Sequence, residues 1–132
     1  MELERLRAAA MQGRERAYAP YSKFSVGAAL LTASGALVVG GNIENLSFSL
    51  TLCAERAAIT RAILQQDREW IALGLVAESR EPITPCGACR QVLAEFVADL
   101  PIYSWNLEGA MHESSLGQLL PRARSGILDS VE

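Results

Sequence analysis

The chain has 132 residues, of which 50% are hydrophobic and 20% are charged, and its formal net charge is -3. This length is typical of one domain over residues 1–132, with enough apolar residues for a core. The acidic balance argues against binding a nucleic-acid polymer, because proteins that hold a phosphate backbone usually carry a basic patch. The longest apolar stretches, near residues 26–33 and 71–77, are too short to cross a bilayer. The charged N-terminal segment lacks the apolar core of a signal peptide, so we expect no membrane partner.

The first half of the chain predicts a helix, a hairpin and a second helix. Residues 2–18 are rich in Glu, Leu, Arg and Ala and predict a helix that ends at the following Ala-Pro. Residues 24–32 and 36–42 predict two strands joined by a glycine turn. Residues 53–65 have helical composition. The hairpin strands are apolar on both faces, which is expected of strands covered by helices.

The second half predicts two more strands and two more helices. Residues 70–77 predict a buried strand, 87–97 a helix, 102–105 a short strand and 116–120 a short terminal helix. This alternation of helices and strands is typical of a three-layer α/β domain. The single histidine, His112, falls after the last predicted strand and is expected to lie at the surface.

The chain contains three cysteines, Cys53 in Cys-Ala-Glu-Arg and the pair Cys86 and Cys89 in Pro-Cys-Gly-Ala-Cys. Their odd number excludes a complete disulfide framework and favours a reducing compartment, so we expect a cytoplasmic protein. The helix near Cys53 leaves one end of the sheet and the strand at 70–77 returns to it, which brings both cysteine motifs together. Three thiolates leave tetrahedral zinc with one open position, which is typical of catalytic sites, whereas structural sites normally use four ligands.

Charged residues beside the cysteines predict the remaining chemistry. Glu55, in the first turn of the helix after Cys53, can take a proton from water at the open position and return it to a leaving group. The alternative for Glu55 is a carboxylate favoured only by the helix dipole. Three thiolates and one zinc ion sum to about -1, so we hypothesise that Arg56 hydrogen-bonds the cysteine sulfurs. Arg90 is predicted to be a solvated, salt-bridging arginine.

These residues resemble the motifs of the small homotetrameric, zinc-dependent cytidine deaminases, in the cytidine and deoxycytidylate deaminase superfamily. The resemblance covers nearly the whole chain and includes residues 18–24, 26–30 and 41–45 as well as both cysteine motifs. It implies a three-layer α-β-α fold with a mixed five-stranded sheet. It also implies one Zn²⁺ per subunit, held by Cys53, Cys86 and Cys89.

The activity that the resemblance implies is the hydrolytic deamination of cytidine and 2′-deoxycytidine to uridine and 2′-deoxyuridine plus ammonia, a reaction of pyrimidine salvage. Zinc activates the water and Glu55 shuttles the proton. The implied substrate contacts are Phe24 on the pyrimidine, Asn42 and Glu44 on the ribose hydroxyls, and the Ala54 N–H and Thr84 carbonyl on the base edge. The negative charge of Glu44 would repel a 5′-phosphate, which favours a nucleoside over a nucleotide.

Two positions depart from the family pattern. Phe48 stands where relatives often have a tyrosine contributed to a neighbour's pocket, and Arg124 stands where they often have a phenylalanine that stacks on the base. Phe48 also belongs to a run of large apolar residues, with Leu46, Leu50 and Leu52, before the second helix. A small domain is expected to bury such a run, here between subunits of a homotetramer.

Two other functions remain open from the sequence. The first is a related zinc aminohydrolase, such as a blasticidin-type deaminase, on the same scaffold. The second is a non-catalytic domain stabilised by zinc, in which Glu55 would have no effect on ligand handling. The segment Asn42-Ile43-Glu44-Asn45 and Arg56 favour the nucleoside enzyme.

Overall fold

The fold is built on a five-stranded mixed sheet, which a computed structural model describes together with its helices over residues 2–123. The helices are α1 (Leu3–Glu15), α2 (Ala54–Leu64), α3 (Gly87–Phe96) and α4 (Leu116–Leu119). The strands are β1 (Val26–Thr32), β2 (Leu37–Gly41), β3 (Trp70–Ala77), β4 (Pro101–Trp105) and β5 (Met111–Ser115). They lie in the order β2-β1-β3-β4-β5. Strands β3 and β4 are parallel and the other neighbours are antiparallel.

The structure confirms every helix and strand predicted from the sequence and adds a strand. The largest boundary difference is at α1, which ends at Glu15 and not at residue 18. Strand β5 corrects the prediction that the last strand is 102–105, and it supplies the fifth strand that the family resemblance implied. His112 therefore lies within an edge strand, opposite Ser104, and is exposed as expected.

Helices cover both faces of the sheet, which makes the three-layer arrangement. On one face α1 packs against β1, β2 and β3, and its buried Leu6 and Ala10 meet Ala29, Ala72 and Val76. On the other face α2 and α3 cover a larger apolar cluster centred on Leu30, Leu73, Leu75, Leu93 and Ile102. Strand β1 has six of its seven residues buried because helices press on it from both sides.

Two glycines let β2 pass between α1 and α2. A Cβ at Gly40 would lie 2.5 Å from both Ala54 O and Ala58 N, and a Cβ at Gly41 would lie 2.4 Å from Gly13 O. Real Cβ atoms do not approach backbone this closely, so only glycine allows the helices to sit at these distances. The contact at Gly40 fixes the first turns of α2, where one of the cysteine motifs begins.

Candidate active site

The three cysteines lie at the starts of α2 and α3. Cys53 and Cys86 are the N-cap residues of these helices, both with extended backbone, and Cys89 lies in the first turn of α3. Their three Sγ atoms all lie within 4.8 Å of one another, and the Sγ atoms of Cys86 and Cys89 are 3.6 Å apart. The predicted convergence of the two cysteine motifs is therefore present in the fold.

The spacing of the sulfur atoms fits a zinc ion. Thiolates bound to tetrahedral zinc at about 2.3 Å lie about 3.8 Å apart, which is close to the observed separations. All three cysteines are free of disulfides. The donor set is soft and limited to three groups, which suits zinc and leaves one coordination position for water. Cys53, Cys86 and Cys89 are thus able to hold one zinc ion.

A cation and two helix ends stabilise negative charge at this cluster. The Arg56 Nη2 atom donates a hydrogen bond to the Cys53 Sγ atom at 3.1 Å, which is the contact hypothesised from the sequence. A hydrogen bond from Cys89, followed by the Arg56 guanidinium, lowers the pKa of Cys53 to about 5. The same bond to Cys53 and burial raise the pKa of Cys89. Both shifts favour negative charge on Cys53, the sulfur that Arg56 contacts.

Glu55 is a buried carboxyl group two residues after Cys53. Only 5% of its surface is exposed. Burial, assisted by the negative charge of Cys53, raises the pKa of Glu55 to about 7. A carboxyl group with this pKa can both accept and donate a proton near neutral pH, which general acid–base catalysis requires.

Backbone pairing connects the segment 42–44 to the first cysteine motif. Ile43 pairs with Leu52, the residue before Cys53, through N–H···O bonds of 2.8 and 2.9 Å. On its other side the segment pairs with Tyr18, whose N–H donates to Asn42 O and whose carbonyl accepts from Glu44 N–H. Asn42 and Glu44 are therefore held in fixed register next to Cys53, one of the three clustered thiols.

The side chains of Asn42 and Glu44 also organise the segment that carries Phe24. Asn42 accepts from Val26 N–H and donates to Phe24 O, both at 2.9 Å. Glu44 accepts from the N–H groups of Tyr21 and Ser22, at 2.9 and 3.1 Å, and from the Ser22 hydroxyl. The Ser22 bond and these backbone bonds lower the pKa of Glu44, although burial opposes them. Glu44 is therefore a carboxylate at neutral pH.

The other substrate-binding residues predicted from the resemblance are Phe24, Ala54 and Thr84, which lie in or next to the segments already described. Phe24 is 38% exposed and follows the segment held by Glu44, while Ala54 is fully buried at the first position of α2. Thr84 is half-buried and comes two residues before Cys86. His112 is on the edge strand and does not belong to the thiol cluster. Arg124 lies outside the described residues.

Sequence reasoning missed the role of Arg90. We predicted a solvated, salt-bridging side chain, but Arg90 is half-buried and donates to Pro85 O, Leu119 O and Thr84 Oγ1. Its bonds to uncharged oxygens correct that prediction. No periodic pattern indicates these contacts, because Leu119 is 29 residues away along the chain. The available signal was the position of Arg90, directly after the ligand pair.

Within residues 2–123, no helix combines the length and apolar character that a bilayer crossing demands.

Known proteins resemble this chain closely. The family model "Cytidine and deoxycytidylate deaminase zinc-binding region" matches residues 1–104. Cytidine deaminase from Sporosarcina psychrophila is 48% identical over 126 residues, which are 95% of this chain and 93% of that protein. Cytidine deaminase from Halalkalibacterium halodurans is 48% identical over 124 residues, which are 93% and 94% of the two chains.

The fold matches as well. A crystal structure of cytidine deaminase from Burkholderia pseudomallei superposes with a TM-score of 0.88 and 45% identity, covering 92% of this chain and 98% of that chain. A blasticidin-S deaminase from Bacillus cereus is more distant, with 25% identity over 108 residues, 76% of each chain. The matched zinc-binding region contains all three thiols and the buried glutamate. The chain therefore belongs to the cytidine and deoxycytidylate deaminase family.

Proposed function

We propose that this protein hydrolyses cytidine and 2′-deoxycytidine to uridine and 2′-deoxyuridine, with release of ammonia. The observation that carries the proposal is the cluster of three thiols beside the buried carboxyl group of Glu55. Family membership and the identity to cytidine deaminases over nearly the whole chain support this substrate class. The more distant blasticidin-S deaminase supports the alternative aminohydrolase less well.

The proton chemistry falls to Glu55. A zinc ion held by Cys53, Cys86 and Cys89 would lower the pKa of a bound water molecule, so that the water could act as a nucleophile near neutral pH. Glu55 accepts the proton that the water loses as its oxygen attacks the amine-bearing ring carbon. It delivers that proton to the adjacent ring nitrogen. Glu55 then takes the proton of the newly added hydroxyl group and passes it to the amino group, so that the C–N bond breaks, ammonia leaves and the carbonyl of the product forms. Its pKa of about 7 suits both directions of transfer.

The sugar would be bound by Asn42 and Glu44. An amide has two donors and two acceptor sites, and the contacts of Asn42 to Val26 and Phe24 use one of each. Glu44 Oε1 accepts two bonds and Oε2 accepts one, which leaves capacity on Oε2 for a hydroxyl. The charge of Glu44 also disfavours a 5′-phosphate, so the substrate is a nucleoside.

The base would lie between Phe24 and the two cysteine motifs. Phe24 offers an exposed ring for the pyrimidine. The Ala54 N–H lies at the start of α2, where backbone donors lack helical partners, and the Thr84 carbonyl directly precedes Pro85. These two backbone groups read the base edge, and Arg56 balances the charge of the thiolates.

We further propose a single domain over residues 1–132 that assembles as a homotetramer in the cytoplasm. Three large side chains before α2 are strongly exposed in the isolated chain: Leu46 by 79%, Phe48 by 70% and Leu50 by 69%. An exposed apolar patch of this kind is expected to be buried, and a second subunit would bury it. The patch lies close to the proposed sugar-binding residue Glu44, because the ring of Phe48 packs edge-on against Tyr21, with centroids 6.3 Å apart, and the Tyr21 N–H donates to Glu44. Three metal-binding thiols suit a reducing compartment. Sedimentation that shows only monomer at assay concentration would contradict the assembly.

The test of the function combines zinc content with turnover for the wild type and Glu55→Gln. Loss of the cytidine absorbance band follows the reaction, and blasticidin S and free cytosine are assayed in parallel. We expect the variant to keep its zinc and lose turnover by a factor of about 10² to 10⁴. Cytosine, which lacks the sugar, should react far more slowly than cytidine. Equal activity of wild type and variant, or a preference for blasticidin S, would reject the proposal.

A further inference from the structure

Arg90 joins two parts of the chain at the second cysteine motif. Its Nε atom donates to Pro85 O at 2.7 Å, its Nη2 atom to Thr84 Oγ1 at 3.3 Å, and its Nη1 atom to Leu119 O at 3.0 Å. The guanidinium group thus spans the loop before α3 and the last residue of α4. It is half-buried, so these bonds compete with less water than surface bonds do.

The bond to Pro85 restricts the one backbone angle that remains free at this turn. The proline ring fixes φ, so ψ alone orients the Pro85 carbonyl and the following residue, Cys86. Pro85 is fully buried, and Arg90 Nε donates to its carbonyl oxygen. The orientation of Cys86, which caps α3 without a side-chain hydrogen bond, therefore depends on the Arg90 contact.

The bond to Thr84 extends this restraint by one residue. Arg90 holds the hydroxyl of Thr84, and the main-chain carbonyl of Thr84 is the group that the proposed function assigns to the base edge. The third bond ties the same guanidinium to Leu119, whose carbonyl lies at the end of α4 and has no helical partner. One side chain thus fixes both residues before Cys86 against a neighbouring element.

We propose that Arg90 is a positioning residue that sets the Thr84–Pro85 segment, and through it the Cys86 thiol for zinc and the Thr84 carbonyl for the base. The claim about the Cys86 thiol holds whatever the substrate is. The claim about the Thr84 carbonyl rests on the proposed function, because only that function assigns the carbonyl to the base. Lysine cannot replace Arg90, because an ammonium group is a compact charge and lacks the planar fork that reaches three acceptors.

The experiment measures zinc affinity and cytidine kinetics for Arg90→Lys and Arg90→Gln. Zinc affinity is determined by competition with a chromogenic chelator on folded protein, which requires no turnover. We expect zinc affinity to fall by about 10-fold to 100-fold, as is typical when a residue that orients a metal ligand is removed. We also expect the KM for cytidine to rise more than kcat falls, because the base edge is misplaced.

Arg61→Lys is the matched control. Arg61 also donates to a backbone carbonyl, Val39 O at 2.5 Å, but does so from the exposed side of α2. This variant should keep zinc affinity and KM within about twofold of the wild type. A general effect of replacing arginine would appear in it as well, and would overturn the assignment of a positioning role to Arg90.

Thr84→Val keeps the proposal testable if the Arg90 variants do not fold. It removes one acceptor of the guanidinium and keeps the side-chain shape and the backbone, so we expect a smaller loss of zinc affinity and a raised KM. Unchanged zinc affinity in folded Arg90 variants, or in Thr84→Val if those do not fold, would overturn the proposal. A wild type that binds zinc but leaves cytidine intact would reject the proposed function, while the zinc measurements would still decide the placement of Cys86.

Discussion

The starts of α2 and α3 are built alike but lie in different surroundings. Each helix begins directly after a cysteine with extended backbone, Cys53 with φ -69° and ψ 154°, and Cys86 with φ -67° and ψ 167°. The first residues of α2, Ala54 and Glu55, are buried, whereas Cys86 and Gly87 at the start of α3 are exposed. The difference lies in solvent access and not in backbone geometry.

Solvent access decides which chemistry each helix start can perform. Burial at α2 raises the pKa of Glu55 to about 7 and so creates a proton carrier. An exposed glutamate at the same helix position would ionise near its ordinary pKa and would hold no proton at neutral pH. The open start of α3 carries two of the three thiols, and one of them, Cys86, is accessible to solvent. Four substitutions test this division.

The largest effect is expected from replacing the buried and the exposed ligand by serine. Cys89→Ser and Cys86→Ser should each lower zinc content more than about tenfold, because a neutral hydroxyl is a poor zinc ligand. The two variants should differ in the free energy of unfolding once the metal is removed. Cys89 is fully buried, so a hydroxyl there should cost about 1–3 kcal/mol in the free energy of unfolding, whereas the exposed Cys86→Ser should cost less than about 0.5 kcal/mol.

Atomic emission and urea unfolding with a chelator provide the two measurements for the serine variants. Equal stability of the metal-free variants would mean that solvent access at these two positions of α3 does not decide what a hydroxyl group costs there.

Arg56→Gln should have a smaller effect, confined to the start of α2. Without the guanidinium, the pKa of Cys53 should rise from about 5, and zinc affinity should fall about tenfold. The pKa of Cys53 is measured in the metal-free protein from the ultraviolet absorbance of the thiolate as a function of pH. Zinc affinity is measured by competition with a chelator. Arg90→Gln is the comparison variant, because it should weaken zinc binding without changing the pKa of Cys53. Unchanged zinc affinity and activity in Arg56→Gln would refute the charge-balancing role.

The smallest effect is expected from Gly87→Ala at the open start of α3. An added Cβ would have no atom within 4 Å, and the helix should gain from alanine by at most about 1 kcal/mol. Urea unfolding measures the change. A loss of more than about 1 kcal/mol would mean that this helix start is less open than its exposure indicates.

The parts of the fold that could be predicted are those with a repeating pattern. Apolar runs and alanine-rich stretches identified four strands and four helices, with ends within three residues. Strand β5 escaped because Met-His-Glu-Ser-Ser lacks apolar alternation. It forms because β4 offers an open edge after the turn at Gly109, which has a positive φ of 95°. Pairing of this kind depends on tertiary context, which local pattern does not contain.

The site shows the same division between local motifs and long-range contacts. The three thiols could be predicted because ligand spacing and helix starts are local features. The contacts of Glu44 to the Ser22 segment and of Arg90 to Leu119 could not, since each joins residues more than 20 positions apart. Neither follows from any spacing rule. The residues that bear the chemistry were therefore more visible in the sequence than those that orient them.

The absence of a side chain at Gly40 limits how this enzyme scaffold can be redesigned. Backbone atoms of Ala54 and Ala58 occupy the volume that a methyl group would need, so any replacement pushes α2 outward and carries Cys53 with it. Mutational libraries aimed at larger substrates should therefore leave β2 intact and vary residues 21–24, whose side chains are exposed. Inactive clones at Gly40 would report a shifted helix and not a lost substrate contact.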